Sequence, residues 1–263
     1  MKTASLSVRS ARGLPKRLDW AASVIYLIPF RRALPRKFLG HDALKGAEML
    51  ARRIVVALSL TVAACSSATT PRDASPLAAD ASVAGISQPD LTKRWWQWAS
   101  SFETSESPVA DPTGERCGAG QEGPVWFLAG TYGSAPAHRK CHVPAGKYLF
   151  FPLINYVVMP TCAECRNTCD DTRATARAMT DRPMGLFAEL DGRSFAGLEA
   201  HRVAASGCFN LAERVPGAPE IAPTASDGYW LLLPPLAKGE HALRFGGSLP
   251  SLRQELVYTL VVE

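Results

Sequence analysis

Leu256, Tyr258, Leu260 and Val262 occupy one set of alternate positions, and Val257, Thr259 and Val261 occupy the other. A period of two places these sets on opposite faces of a strand, and a helix cannot reproduce that separation. The pattern recurs along the chain. Val125–Tyr132 and Lys147–Met159 are rich in aromatic and branched residues, and Gly228–Leu233 and Glu240–Phe245 repeat the signal. Pro152 requires a bulge or an edge within the second of these runs. Leu186–Leu190 and Arg193–Leu198 flank Asp191-Gly192, a pair suited to the positive φ angles of a type I′ hairpin turn. Many short strands punctuated by turn residues predict an all-β chain of the β-sandwich or jelly-roll kind.

Two helices interrupt this pattern. Pro89 opens an N-terminal amphipathic helix on which Leu91, Trp95, Trp98 and Phe102, at steps of four, three and four, share one face. The spacing predicts a helix docked on the domain through its aromatic face, rather than a platform for stacking sugars; Trp96 falls off the stripe. A second, short helix is expected over Asp171–Thr180, within a Cys-rich insertion, with Asp170 or Asp171 as its cap.

The net charge of +5 invites a nucleic-acid partner until the chain is divided. Residues 1–64 carry 12 Lys and Arg against 3 Asp and Glu, a net of +9. Residues 65–263 carry 17 against 21, a net of −4. The basicity therefore belongs to the leader, and nucleic acid is set aside as a partner.

Within that leader, Arg52-Arg53 precedes eleven uncharged residues, Ile54–Ala64, too few to span a bilayer. Small residues and Cys65 follow, and Val62-Ala63-Ala64-Cys65 resembles the lipobox of bacterial lipoproteins. That resemblance implies cleavage before Cys65 and lipidation of its thiol, giving an extracytoplasmic, membrane-anchored protein whose partner is the lipid bilayer. An ordinary secretory cleavage site is the alternative. The expected organisation is a mis-called extension over 1–48, a lipoprotein signal peptide over 49–64 starting at Met49, a flexible tether over 65–88 and one β-rich domain over 89–263.

Six further cysteines, Cys117, Cys141, Cys162, Cys165, Cys169 and Cys208, fit disulfides in an exported domain. Six cysteines admit 15 connectivities. Cys117–Cys141 is preferred, because it would tie the loop before the first strand to the one after it. A zinc or iron–sulfur site on Cys162-x2-Cys165-x3-Cys169, with His142 or Cys208 as fourth ligand, is the alternative. An oxidising compartment favours disulfides, so no metal or other cofactor is assigned.

No H-E-x-x-H, G-x-S-x-G, P-loop or dinucleotide fingerprint is present, and no catalytic residue is assigned. Asp111-Pro112-Thr113-Gly114 reads as a turn. Of His138, His142, His201 and His241, the last two lie in strand-like runs and read as structural or surface groups; Asp170-Asp171 reads as a cap, and Asp227 as either a ligand-binding group or the cap of a turn. Three separated segments carry a second resemblance: Trp95-Trp96-Gln97-Trp98, then Asp111-x-Thr-Gly-x2-Cys117-x2-Gly120-Gln121-x-Gly123-x-Val125-Trp126-Phe127-Leu128-Ala129-Gly130, then Cys141-x-Val-Pro-Ala-Gly146-Lys147. With Ser226-Asp227-Gly228-Tyr229-Trp230 and Gly239-Glu240-His241, they resemble an uncharacterised family of bacterial secreted proteins over roughly residues 93–262. That likeness implies an exported domain and no particular chemistry. The expected function is a binding module in the cell envelope for glycan, peptide or another envelope protein, with an envelope hydrolase of polysaccharide or ester as the alternative.

Overall fold

The computed structural model describes residues 74–133, 136–160 and 167–263. Cys65 with the rest of the leader, and Cys162 and Cys165, lie outside the described residues. Those described form a mostly β structure with two α-helices, and neither helix is long and apolar enough to cross a membrane.

A small antiparallel hairpin, β1 (Ser82–Val83) and β2 (Ile86–Ser87), leads into α1 (Gln88–Ala99). The Ser87 hydroxyl caps α1 by accepting from the Asp90 backbone N–H, and Pro89 sits in the first turn, where a missing N–H costs nothing. The expected tether to residue 88 is corrected over its described part. The Leu77 N–H bonds the Leu232 carbonyl at 2.8 Å, Gln88 Nε2 bonds the Ala78 carbonyl at 2.6 Å, and Val83 is buried. The Ser/Ala/Pro composition of this stretch hides the apolar anchors, Leu77 and Val83, that dock it.

Three strands form one sheet in the order β3 (Val125–Phe127), β5 (Tyr148–Val158), β8 (Ala225–Leu233), with β3 parallel and β8 antiparallel to β5. The register of β5 shifts between Pro152 and Ile154, where the proline demanded an irregularity. Five strands form the other, in the order β4 (Ala137–Val143), β10 (Leu252–Val262), β9 (Gly239–Leu249), β6 (Met184–Leu190), β7 (Arg193–Ser194). Of its pairs, β4 with β10 is parallel and the rest are antiparallel. Asp191 and Gly192 both take positive φ, +51° and +80°, as the β6–β7 turn requires.

The three-stranded sheet is covered on both faces, and so β8 is buried along its whole length. Leu231, Leu233, Phe151 and Leu153 share one core with Leu243, Phe245, Leu256, Tyr258 and Leu260 of the larger sheet. On the opposite face Phe127, Phe150, Trp230 and Leu232 pack with Leu91, Trp95 and Trp98 of α1. Trp230 lies flat on Phe150, with centroids 5.1 Å apart and planes 3° from parallel. Each buried indole removes about 150–250 Å² from water, on the order of 4–6 kcal/mol. That burial, rather than intrinsic propensity, secures a 12-residue helix that would be marginal alone. Trp96, expected off the stripe, is buried as well, and its Nε1–H donates to Ser226 Oγ at 2.8 Å.

Strand β4 has no counterpart among the expected elements. Ala137, Arg139, Cys141 and Val143 point inward while His138, Lys140 and His142 point out. An inward arginine disguises the alternation. Arg139 is 3% exposed, and its guanidinium donates to the carbonyls of Val109, Asp111, Ala129 and Gly130 and to the Tyr258 hydroxyl, over 2.7–3.1 Å. The Tyr258 hydroxyl in turn donates to the Ala129 carbonyl, and Gln254 Oε1 accepts the Thr131 N–H. Side chains thus take over backbone groups that a strand partner would have used, and β3 ends at Phe127 rather than reaching Tyr132.

Candidate functional site

The second helix, α2 (Cys169–Thr180), begins two residues earlier than the expected Asp171. Thr168 is the cap, not Asp170 or Asp171. Its hydroxyl accepts the Asp171 N–H at 3.2 Å, and the Asp171 carboxylate reaches back to the Thr168 N–H, also at 3.2 Å. This reciprocal box satisfies two N–H groups that a helix start leaves open. The Thr168 hydroxyl and backbone hydrogen bonds hold the Asp171 carboxyl below its usual range. Cys169 is bridged to Cys208, with Cα atoms 5.7 Å apart, fixing the start of α2 against the segment beside β8. That segment extends β8, because Val203 N–H bonds the Gly228 carbonyl at 2.8 Å and Ala205 N–H bonds the Ser226 carbonyl at 2.9 Å.

Between α2 and this edge lies a cleft of about 220 Å³, lined by Asp170, Arg173, Ala174 and Arg177 from the helix. Ala204 and Ala205, then Ala225, Ser226 and Asp227 of β8, line its other side. Positions 170, 173, 174 and 177 recur at helical spacing, so one face of α2 supplies the whole wall. The alanines end at Cβ and leave the space open. Asp227 is 4% exposed, and its Oδ1 accepts from the Thr180 hydroxyl at 2.6 Å and from Arg202 Nε at 2.8 Å. Arg202 also donates to Asp181 at 2.7 Å and to the Arg177 carbonyl at 2.7 Å, so it locks the end of α2 to β8. Burial works against the Arg202 charge, and its bonds to Asp181 and Asp227 more than offset this, leaving the guanidinium above its usual pKa.

Tyr229, next to Asp227, is pushed up by burial against the pull of Arg202. Burial pushes His201 down, and its Nδ1 is buried without a protein partner. Gly228 faces Asn155 so closely that a Cβ would stand 2.6 Å from the Asn155 Cα, so no larger residue fits where β5 and β8 pass beneath the cleft.

The other expected site residues scatter. Cys117 and Cys141 are bridged, as preferred from the sequence, with Cα atoms 5.7 Å apart. Since Cys169 and Cys208 are also bridged, the proposed metal site loses one ligand of its Cys-x2-Cys-x3-Cys core and one candidate for the fourth position. His142 sits exposed beside Glu263, 3.5 Å away. Among the described residues no group of three His, Cys, Asp or Glu is placed to hold a metal ion. Trp95, Trp96, Trp98, Trp126 and Trp230 are all buried, so none offers a face for stacking.

The motif around Asp111 turns out to be scaffolding. Burial opposes the Asp111 charge, but hydrogen bonds from Arg116, Thr113 and Gly114 outweigh it and lower the pKa. Gln121 bonds both the N–H and the carbonyl of Phe127, completing the outer edge of β3. His241 is held at the β6–β7 turn, with Nδ1 2.7 Å from Asp191 Oδ2 and Nε2 2.9 Å from the Ala237 carbonyl. The cleft itself had no signal in the sequence beyond Asp170 and Asp227, since its two walls, residues 170–177 and 204–227, are far apart in the chain. Compared with protein-family models, curated proteins and solved structures, the chain matches none.

Proposed function

We propose that this chain is a bacterial lipoprotein, anchored to a membrane through lipidated Cys65, whose β domain is a binding module in the cell envelope. The order of the leader supports the address: a basic pair, eleven uncharged residues, small residues, then Cys65. Two disulfides within one domain suit an oxidising compartment. The two sheets across a shared core are read here as a sandwich of the jelly-roll kind, in keeping with the exported family that the motifs resemble.

The observation that carries the binding reading is the α2–β8 cleft, which combines charged side chains on its walls with an alanine floor. Such a lining can orient a ligand by hydrogen bonds and charge. The hydrolase alternative has one observation in its favour, that Asp170 and Asp227 line the same cleft. Release of reducing ends or ester products by the purified chain, abolished in Asp227→Asn, would decide for it.

Fractionation tests the anchor. The wild-type chain is expected with membranes and labelled by a fatty-acid probe, and Cys65→Ser is expected in the soluble fraction without label. A Cys65→Ser chain that still floats with membranes defeats the proposal.

A further inference from the structure

We propose that the α2–β8 cleft binds the carboxylate of an acidic sugar, with Arg173 and Arg177 gripping the anion and Asp227 reading ring hydroxyls. The inference deepens the binding-module reading and rests on it.

The argument begins with charge placement. Arg173 and Arg177 stand four residues apart on the face of α2 that lines the cleft. Like charges at this spacing repel by a few tenths of a kcal/mol in an isolated helix. Arg173 has a loose contact with exposed Asp170, at 3.9 Å, and the Arg177 guanidinium meets no carboxylate among the described residues. An anion between the two guanidiniums turns the repulsion into charge-assisted, bidentate hydrogen bonds, for which the planar fork of arginine is suited.

The opposite wall selects what that anion is attached to. Ser226 Oγ lies on the opposite face of β8, where it accepts the Trp96 Nε1–H, so Asp227 is the polar side chain of β8 that faces the ligand. Asp227 presents a buried carboxylate whose orientation Thr180 and Arg202 hold fixed. A bare phosphate or sulfate would meet this carboxylate with charge against charge. A hydroxylated ring meets it with O–H donors instead, while its C–H face rests on Ala204 and Ala225. The volume, about 220 Å³, lies below the roughly 300–1,000 Å³ of sites for drug-sized ligands, so one ring fits rather than an oligomer.

Calorimetric titration of the purified full chain with glucuronate, glucose, N-acetylalanine and inorganic phosphate tests the proposal. Glucuronate is expected to bind in the millimolar range, more weakly as salt rises, and the three other probes at least tenfold more weakly. Arg177→Gln and Arg173→Gln, exposed helix substitutions that leave folding intact, are each expected to weaken glucuronate at least tenfold. Arg244→Gln, exposed on β9 away from the cleft, is expected to change nothing. Glucuronate binding that is absent, unchanged in both arginine variants, or matched by phosphate or N-acetylalanine overturns the proposal. The Cys65→Ser fractionation is read separately, so failure of the cleft and failure of the anchor are distinguishable.

Discussion

Replacing Arg139 removes a buried cation on which two loops converge. Its guanidinium serves the carbonyls of Val109 and Asp111 in one loop and of Ala129 and Gly130 in another, and it also reaches the Tyr258 hydroxyl. In Arg139→Ala the Tyr258 hydroxyl still donates to Ala129, which leaves the carbonyls of Val109, Asp111 and Gly130 without the donor they had. An orphaned buried acceptor costs about 1–3 kcal/mol, and relaxation with water entry keeps the sum toward its lower end, about 3–5 kcal/mol. That is a large fraction of the roughly 5–15 kcal/mol available to a folded domain. Arg139→Lys keeps the charge but has three donors in place of a planar fork, so about 1–3 kcal/mol is expected. Urea unfolding with the disulfides intact, followed by tryptophan fluorescence, measures both variants. An alanine variant within about 1 kcal/mol of wild type would refute the assignment of Arg139 as the organiser of these loops.

The His241 imidazole has Asp191 Oδ2 at one ring nitrogen and the Ala237 carbonyl at the other, partners that favour its cationic form. Burial opposes this charge, the Asp191 hydrogen bond and the Ala237 carbonyl favour it, and the net shift is upward from 6.5. Its stabilisation is therefore complete below the unfolded pKa of about 6.5 and lost as pH rises through the folded value. The stability gap between wild type and His241→Gln should shrink from pH 5 to pH 9, and a gap constant with pH would remove the imidazolium from the account. The Cys169–Cys208 bridge closes a 39-residue separation, for which chain entropy gives about 4 kcal/mol. A Cys169→Ser/Cys208→Ser chain should lose stability by that order in thermal or urea unfolding and expose the cleft-forming start of α2 to proteolysis; unchanged unfolding would show that capping and packing alone hold it.

Where the sequence was legible, the signal was local. Alternation in β10, unbroken apolar runs in β5 and β8, and Asp191-Gly192 between β6 and β7 each declare a conformation through neighbours two or three residues away. The Leu91–Trp95–Trp98 stripe announced its burial in the same way. The Cys117–Cys141 bridge was legible because its partners lie on either side of the apolar run that forms β3. Strand β4 was not, because Arg139 occupies an inward position that only the carbonyls of distant loops make tolerable. Residues 74–88 read as a tether since Leu77 bonds distant Leu232 and Val83 packs into the core beside α1, and composition cannot report a partner. The acidic pair at the start of α2 pointed to the wrong cap, because Asp171 sits at the third helical position, where its carboxylate completes a reciprocal box with Thr168.

The sequence by itself therefore determined the β character, the docked aromatic helix, the hairpin turn and the excess of basic residues over 1–64, since periodicity, turn chemistry and charge are written in consecutive residues. Only the tertiary structure decided the strand order, the Cys169–Cys208 bridge and the cleft between α2 and β8. Those depend on which segments far apart in the chain bury the same surface, and no stretch of sequence carries that information alone.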